Sequence, residues 1–355
     1  MSNKVSKEAE EGITLEYLEF IALERLFQAW EEFKKGKRKR TDVQTFERNL
    51  EDNLFVLYQS LKDKTYRHGS YYSFYVHDPK KRHIHKSSVQ DRVVHHLLYT
   101  YLYPLFDPIF IYDSYSCRLD KGTHKGVERL KVVARKVSKN YSRECWSLKC
   151  DIKKFFASVD HQILLKLLES KIKDQDIIWL LKQVINSFYS DNGEGKGIPL
   201  GNLTSQVFAN IYMNELDQFV KHNLKVKYYI RYADDFMFLS SDKKLLESYI
   251  DPTQQFLNIY LKLELHPKKI IFRKLKWGID FLGYMILPHY RLVRTKTKRR
   301  MLKKIQNKAL DLRNGEISEF SFNQTLQSYF GVMKHASSYK LAQKLKNQLW
   351  FWQEN

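Results

Sequence analysis

Residues 228–239 read YYIRYADDFMFL, an apolar and aromatic run in which Asp234 and Asp235 stand side by side. Adjacent carboxylates in such a run repel one another and both resist leaving water, so the pair implies a cation to neutralise it. An ordinary polar turn is the plain alternative, because aspartates are common in hairpins; the aromatic flanks and the lack of glycine argue against it. A third acid, Asp151, closes a second apolar run, WSLKCDI at residues 146–152. Taken alone, Asp151 reads as a surface or capping residue. If the two runs are neighbouring strands, the three carboxylates converge and offer the oxygen ligands that Mg²⁺ prefers, with Mn²⁺ as a substitute. Two such ions about 3.5–4 Å apart activate an attacking hydroxyl and stabilise a leaving pyrophosphate in an in-line phosphoryl transfer.

These acids need strands to hold them and helices to back the strands. Period-two patterns predict strands over residues 71–76, 82–85 and 146–152, two strands separated by the two acids over 228–239, and a further strand or hairpin over 279–287. The first two form a hairpin around His77, Asp78, Pro79, Lys80 and Lys81, and His83 and His85 share one strand face as surface or RNA-facing residues. Helical spacing predicts helices over residues 14–33, 41–61, 89–103, 127–139, 162–188, 204–222, 298–313 and 320–350. Strands interrupted by long helices predict an α+β fold with helices on one face of the sheet. Residues 197–206 (GIPLGNLTSQ) read as a tight turn into a helix, with Thr204 or Ser205 as its cap.

The composition narrows the class. A formal charge of +21 over 355 residues points to a polyanionic partner, nucleic acid first, because lysine and arginine release the counterions condensed on phosphates. Basic clusters at residues 34–40 (KKGKRKR) and 291–304 are phosphate-facing candidates, against the plain reading of solvated charge. No run approaches the roughly 20 apolar residues of a spanning helix, and the start MSNKVSKEAEEG has no apolar signal segment, so no membrane partner is expected. Cys117, Cys145 and Cys150 form no paired spacing, which fits a reducing cytoplasm rather than a disulfide framework or structural zinc.

Tyr-Ala-Asp-Asp after an apolar strand resembles the signature of reverse transcriptases, and further blocks arrive in that family's order. DIKKFF at residues 151–156 resembles the first palm motif. Arg82, ahead of Asp91-Arg92-Val93-Val94, resembles the basic finger strand of group II intron enzymes, and SYSCR at residues 114–118 resembles the next block. HPKK at residues 266–269 resembles the loop whose lysine protonates pyrophosphate, and FLGY at residues 281–284 the primer-grip turn. Most relatives carry Gln-Gly and then Ser-Pro where this chain has Leu200-Gly201 and Ser205-Gln206, a variant similar to reverse transcriptases of diversity-generating retroelements.

The resemblance implies a right-hand polymerase, α+β, with fingers, an antiparallel palm sheet and a helical thumb. The expected division is an N-terminal helical extension at residues 1–60, fingers at 61–145, palm at 146–290 with a finger insertion near 165–200, and a basic thumb at 291–355. It implies catalysis by Asp151, Asp234 and Asp235, with Ile152 beside them at two Mg²⁺ ions. Lys81, Arg82, Phe155, Phe156, Leu200, Gln206, Tyr232 and Lys269 would bind the nucleotide, Phe156 by packing under the deoxyribose and excluding a 2′ hydroxyl. Arg118, Gly201, Phe281, Leu282 and Gly283 would meet template and primer. The implied partners are an RNA template, the RNA/cDNA duplex, deoxynucleoside triphosphates and a small ring-forming accessory protein. The enzyme would be cytoplasmic and bacterial or phage-encoded, and would copy a template-repeat RNA into adenine-mutagenised cDNA. The rival readings are a group II intron-like enzyme, an antiviral-defence reverse transcriptase and a non-catalytic RNA-binding protein.

Overall fold

The computed structural model describes residues 15–77 and 80–354, so the polar start and the Asp78–Pro79 tip of the first hairpin lie outside the described residues. The chain packs as two compact units, one from residues 1–112, 152–225 and 251–266, the other from 113–151, 226–250 and 267–355. Helices and antiparallel sheets make up both, in keeping with the expected α+β class.

In the first unit, β1 (Tyr72–Val76) and β2 (Arg82–Lys86) pair antiparallel, with Ser73 opposite His85 and Tyr75 opposite His83. The helix Leu23–Lys34 buries Leu26, Ala29, Trp30 and Phe33 and packs on the helix Val89–Phe106. The helix Leu203–Gln218 packs on that same helix and is buried nearly all round, so it has no polar face to show water. Its polar residues therefore need internal partners, and Thr204 Oγ1 meets His95 Nδ1 at 2.8 Å. Asn202, not Thr204 or Ser205, stands at the cap position, and it makes no side-chain capping bond there. Its amide instead donates to the carbonyl of His85 at 3.2 Å, tying the turn to β2.

Several helices are shorter than the spacing suggests. Residues 14–33 divide into Leu15–Ile21 and Leu23–Lys34 because Ala22 is extended, and residues 41–61 divide at Asn49 into Thr41–Arg48 and Leu50–Lys62. Residues 162–188 divide into His161–Glu169 and Gln175–Ile185, the second capped by Asp174, whose carboxylate accepts from the amides of Asp176 and Ile177. The segment 320–350 is two helices, Glu319–Lys334 and Tyr339–Glu354. Each piece keeps its own apolar spacing, so only the cap chemistry marks the ends.

In the second unit, β3 (Trp146–Asp151), β4 (Tyr229–Tyr232), β5 (Asp235–Ser240) and β6 (Ile271–Lys274) form an antiparallel sheet in the order β4–β5–β3–β6. A second sheet joins β7 (Ile279–Phe281), β8 (Tyr284–Ile286) and β9 (Arg291–Val293). Leu130, Met237, Phe281, Ile286 and Met301 meet in one core shared by the sheets, the helix Thr123–Val137 and the helix Thr295–Arg313. The strands carrying the acids are thus anchored by full burial of large side chains, each contributing about 1.5–3 kcal/mol.

Gly201 sits at φ +113°, and a β-carbon there would lie 2.9 Å from Ile84 Cγ2 in β2. Both strain and contact oppose any side chain. Gly201→Ala is expected to lower stability by about 1–3 kcal/mol, read as a lower urea midpoint; an unchanged midpoint would show that this turn does not hold β2.

Candidate active site

Asp151 ends β3 and Asp235 begins β5, and the two are register partners across the ladder. Their side chains therefore leave the same face of the sheet. Tyr232 pairs with Asp235, so β4 and β5 are joined by the two-residue turn Ala233-Asp234. Ala233 takes φ +55°, the left-handed conformation that primed hairpin turns require and that alanine seldom adopts. Arg231, fully buried, stabilises that turn by donating from Nη1 to the Ala233 carbonyl at 3.1 Å. Its backbone is bonded on both sides as well: its N–H donates to the Asp113 carbonyl and its carbonyl accepts from Tyr115 N–H, each at 2.9 Å.

Like charge and burial together set the electrostatics. Asp234 is pushed up to about 6, chiefly by burial and then by the charge of Asp151. Asp235 is also raised, first by burial, with Lys149 opposing and Asp151 and Asp280 adding to the rise. Two ammonium groups balance the cluster: Lys149 Nζ lies 2.8 Å from Asp235 Oδ2, and Lys269 Nζ 2.5 Å from Asp151 Oδ1. Asp235 Oδ1 is buried and has no hydrogen-bond partner, a costly condition that implies a further electropositive ligand.

Among the described residues, no three His, Cys, Asp or Glu side chains are gathered closely enough, as they stand, to hold a metal ion. Lysine ammonium groups neutralise Asp151 and Asp235 instead, and hard oxygen donors of this kind suit a divalent cation equally. The orphaned oxygen of Asp235 and the repulsion felt by Asp234 fit such an ion. Cys150, next to Asp151 in β3, is pushed up to about 12, by burial first and then by Asp235 and Asp151, so its thiol stays protonated and inert.

The other candidates divide between the units. In the second unit, Tyr232 meets Thr123 Oγ1 through its hydroxyl at 3.3 Å, and Arg118 donates to the Ser114 carbonyl at 3.2 Å. Phe281 is fully buried, while Leu282 and Gly283 form the β7–β8 turn with φ +48° and +89°. Within the chain, Gly283 is demanded by its φ rather than by crowding, since the nearest atom to a β-carbon would be Thr297 Oγ1 at 3.8 Å. In the first unit, Phe156 and Leu200 line a cavity of about 290 Å³ with His83, His85 and Phe188. Phe155 is buried in the core, Ile152 is buried and bridges Leu265, and Gln206 is exposed. Arg82 lies opposite Val76, on the other ribbon face from His83 and His85, and Lys81 Nζ rests 4.2 Å from the Tyr75 ring.

Three residues around the site escaped the sequence reading. Lys149 had a usable signal, because a residue two before Asp151 in a strand shares its face. Arg231 and Asp280 had none: a single charge inside an apolar run does not reveal that Arg231 meets the Ala233 carbonyl or that Asp280 meets Arg294. His83 and His85 were placed on one face, but their part in the cavity with Phe156 depends on contacts distant in sequence.

Residues 77–286 match the family described as reverse transcriptase (RNA-dependent DNA polymerase). An uncharacterised 91 kDa protein of a cob intron in Schizosaccharomyces pombe is 32% identical over 152 residues, covering 42% of this chain and 18% of that protein. The group II intron-encoded protein LtrA of Lactococcus lactis is 28% identical over 185 residues, covering 50% of this chain and 30% of its own. The chain thus spans less than a third of either relative. A solved structure of apo telomerase from Candida tropicalis, truncated from its C-terminal domain, aligns with a TM-score of 0.45 at 13% identity, over 64% of this chain and 55% of that one.

The raised Asp234 has a consequence for stability. A folded Asp234 keeps its proton to about pH 6, whereas an aspartate in the unfolded chain releases it near 3.8. Folding therefore takes up a proton between those values, so stability falls as pH rises through that window and the cost, on the order of 3 kcal/mol, is complete above it. In metal-free buffer, Asp234→Asn is expected to raise the urea midpoint at pH 7.5 and to give no gain at pH 4. An equal or lower midpoint at pH 7.5 would show that the carboxylate is not destabilised.

Proposed function

The chain belongs to the reverse transcriptase (RNA-dependent DNA polymerase) family, and we propose that it copies an RNA template into DNA at Asp151, Asp234 and Asp235. The observation that carries this reading is the register pairing of Asp151 with Asp235 beside the Asp234 turn, where carboxylates are held against their own repulsion. A binding module has no use for that arrangement, whereas phosphoryl transfer requires it. The three aspartates would hold two Mg²⁺ or Mn²⁺ ions, with Ile152 alongside; when bound, these supply activation of the primer 3′ hydroxyl and stabilisation of the departing pyrophosphate.

The chain's own groups do the rest. Lys269, now on Asp151, is placed to neutralise the carboxylate or to pass a proton to pyrophosphate. Lys149 holds Asp235 in orientation, and Arg231 fixes the turn that carries Asp234. Phe156 packs under the deoxyribose, Leu200 closes the same pocket, and Lys81, Arg82, Gln206 and Tyr232 complete nucleotide binding. Arg118, Gly201, Phe281, Leu282 and Gly283 guide template and primer. In this reading residues 61–145 are fingers, 146–290 palm with a finger insertion near 165–200, and 291–355 thumb, after an N-terminal extension at 1–60.

The finer reading is a diversity-generating enzyme that misincorporates opposite template adenines in a template-repeat RNA and works with a small ring-forming accessory protein. Leu200-Gly201 and Ser205-Gln206 support it, and Leu200 lines one cavity with Phe156, where a base pair is judged by shape. A group II intron-like enzyme is the second reading, favoured by the 28% identity to the Lactococcus protein.

Purified chain with Mg²⁺, deoxynucleotides and an RNA holding all four bases, with and without its accessory protein, is expected to yield cDNA whose errors concentrate at template adenines. Asp234→Ala/Asp235→Ala is expected to abolish the product. Faithful cDNA would reject the diversity-generating reading while keeping the polymerase, and absence of cDNA under all conditions would reject both.

A further inference from the structure

A second concentration of charge lies in the first unit, in a cavity of about 350 Å³. Lys153, Lys154, Lys196 and Lys262 line it, with Glu264, Ser158 and Asn192. Three backbone segments bring the lysines together. Lys153 N–H donates to the Glu264 carbonyl at 2.9 Å, and Ser190 N–H to the Lys196 carbonyl at 2.9 Å. Asp160 and Lys196 form an antiparallel bridge, and Lys154 stands at φ +48°, which turns the chain sharply after β3. The positions of the charges are thus built into the fold rather than left to flexible tails.

The charges are not balanced. Lys153 pairs with Glu264 at 2.9 Å and Lys262 with Asp160 at 2.7 Å, while Lys154 and Lys196 have no carboxylate partner among the described residues. Four ammonium groups thus face two carboxylates. Asn192 Nδ2 donates to the Ala157 carbonyl at 2.9 Å and to Ser158 Oγ at 3.3 Å, so the serine oxygen accepts and its own proton is left to donate into the cavity. The basic run at residues 34–40 differs: Lys34 and Lys35 are paired with Glu31, Glu47 and Glu32, and Lys37 lies over the Phe33 ring.

We propose that this cavity binds phosphate groups of an RNA strand, as a site additional to the carboxylate cluster of the other unit; the proposal rests on the reading of the chain as an RNA-copying enzyme. Ammonium groups act as point charges that accept a phosphodiester in many orientations. The site therefore holds RNA irrespective of sequence and contributes to affinity through counterion release. Free polyphosphate presents the same chemistry, so the test separates the two sources.

Binding of a fluorescent single-stranded RNA is measured by anisotropy across NaCl concentrations, in EDTA, for wild type, Lys154→Gln/Lys196→Gln and Lys154→Arg/Lys196→Arg. The Gln pair is expected to lower the slope of log K against log salt by about 1.4, roughly 0.7 per lost contact to a single strand, by the same amount for unrelated sequences. The Arg pair, which keeps the charge, is expected to retain the wild-type slope, and Lys196→Gln alone, as the milder change, to lose about half as much. Inhibition of cDNA synthesis by inorganic pyrophosphate is measured beside it. An unchanged slope with weaker pyrophosphate inhibition would assign the site to free polyphosphate; no change in either overturns the proposal and leaves the polymerase reading intact. Loss of slope in a chain that makes no cDNA would overturn that reading and leave the site standing.

Discussion

Asp151 and Asp235 face the same side of one antiparallel ladder, with Asp234 in the turn beside them, and three like charges in a half-buried corner must be balanced before the sheet around them can close. Much of the second unit answers to that demand. Lys149 and Lys269 each neutralise one carboxylate, from β3 and from the segment before β6. Arg231, buried beneath the hairpin, holds the carbonyl of the strained alanine that aims Asp234. The core of Met237, Phe281 and Ile286 fixes the strands so that the acids cannot separate to relieve their repulsion.

That corner was legible in the sequence because it breaks the rules around it. Carboxylates in an apolar strand pattern are expensive, and expense in a fold marks function. The strands that carry the acids and the α+β class followed from periodicity, whereas the pairing of those strands, β6 beside them and the helix ends did not. Ala22 and Asn49 interrupt helices without proline or glycine to announce it. At the start of the helix Leu203–Gln218, Thr204 looked like a cap, but a buried helix needs internal partners for its polar groups, and His95 takes the hydroxyl. Arg231 was illegible for a related reason: the Ala233 carbonyl that it donates to is presented only once the turn has formed.

The first unit shows a different logic. Gly201 lets the turn that carries Leu200 lie against β2, where Ile84 leaves no room for a β-carbon. That contact sets Leu200 beside Phe156 and the paired imidazoles of His83 and His85, whose ring centroids lie 4.2 Å apart.

The central claim is that the three aspartates form a divalent-cation site now balanced by lysines. Free Mn²⁺ has a sharp paramagnetic resonance signal that is lost on binding, so titrating the metal into wild-type chain and into Asp151→Asn/Asp235→Asn measures the site without any nucleic acid. Wild type is expected to remove the signal in proportion to protein, and the double variant to leave it in place. Equal loss of signal in both would place the metal elsewhere and contradict the account.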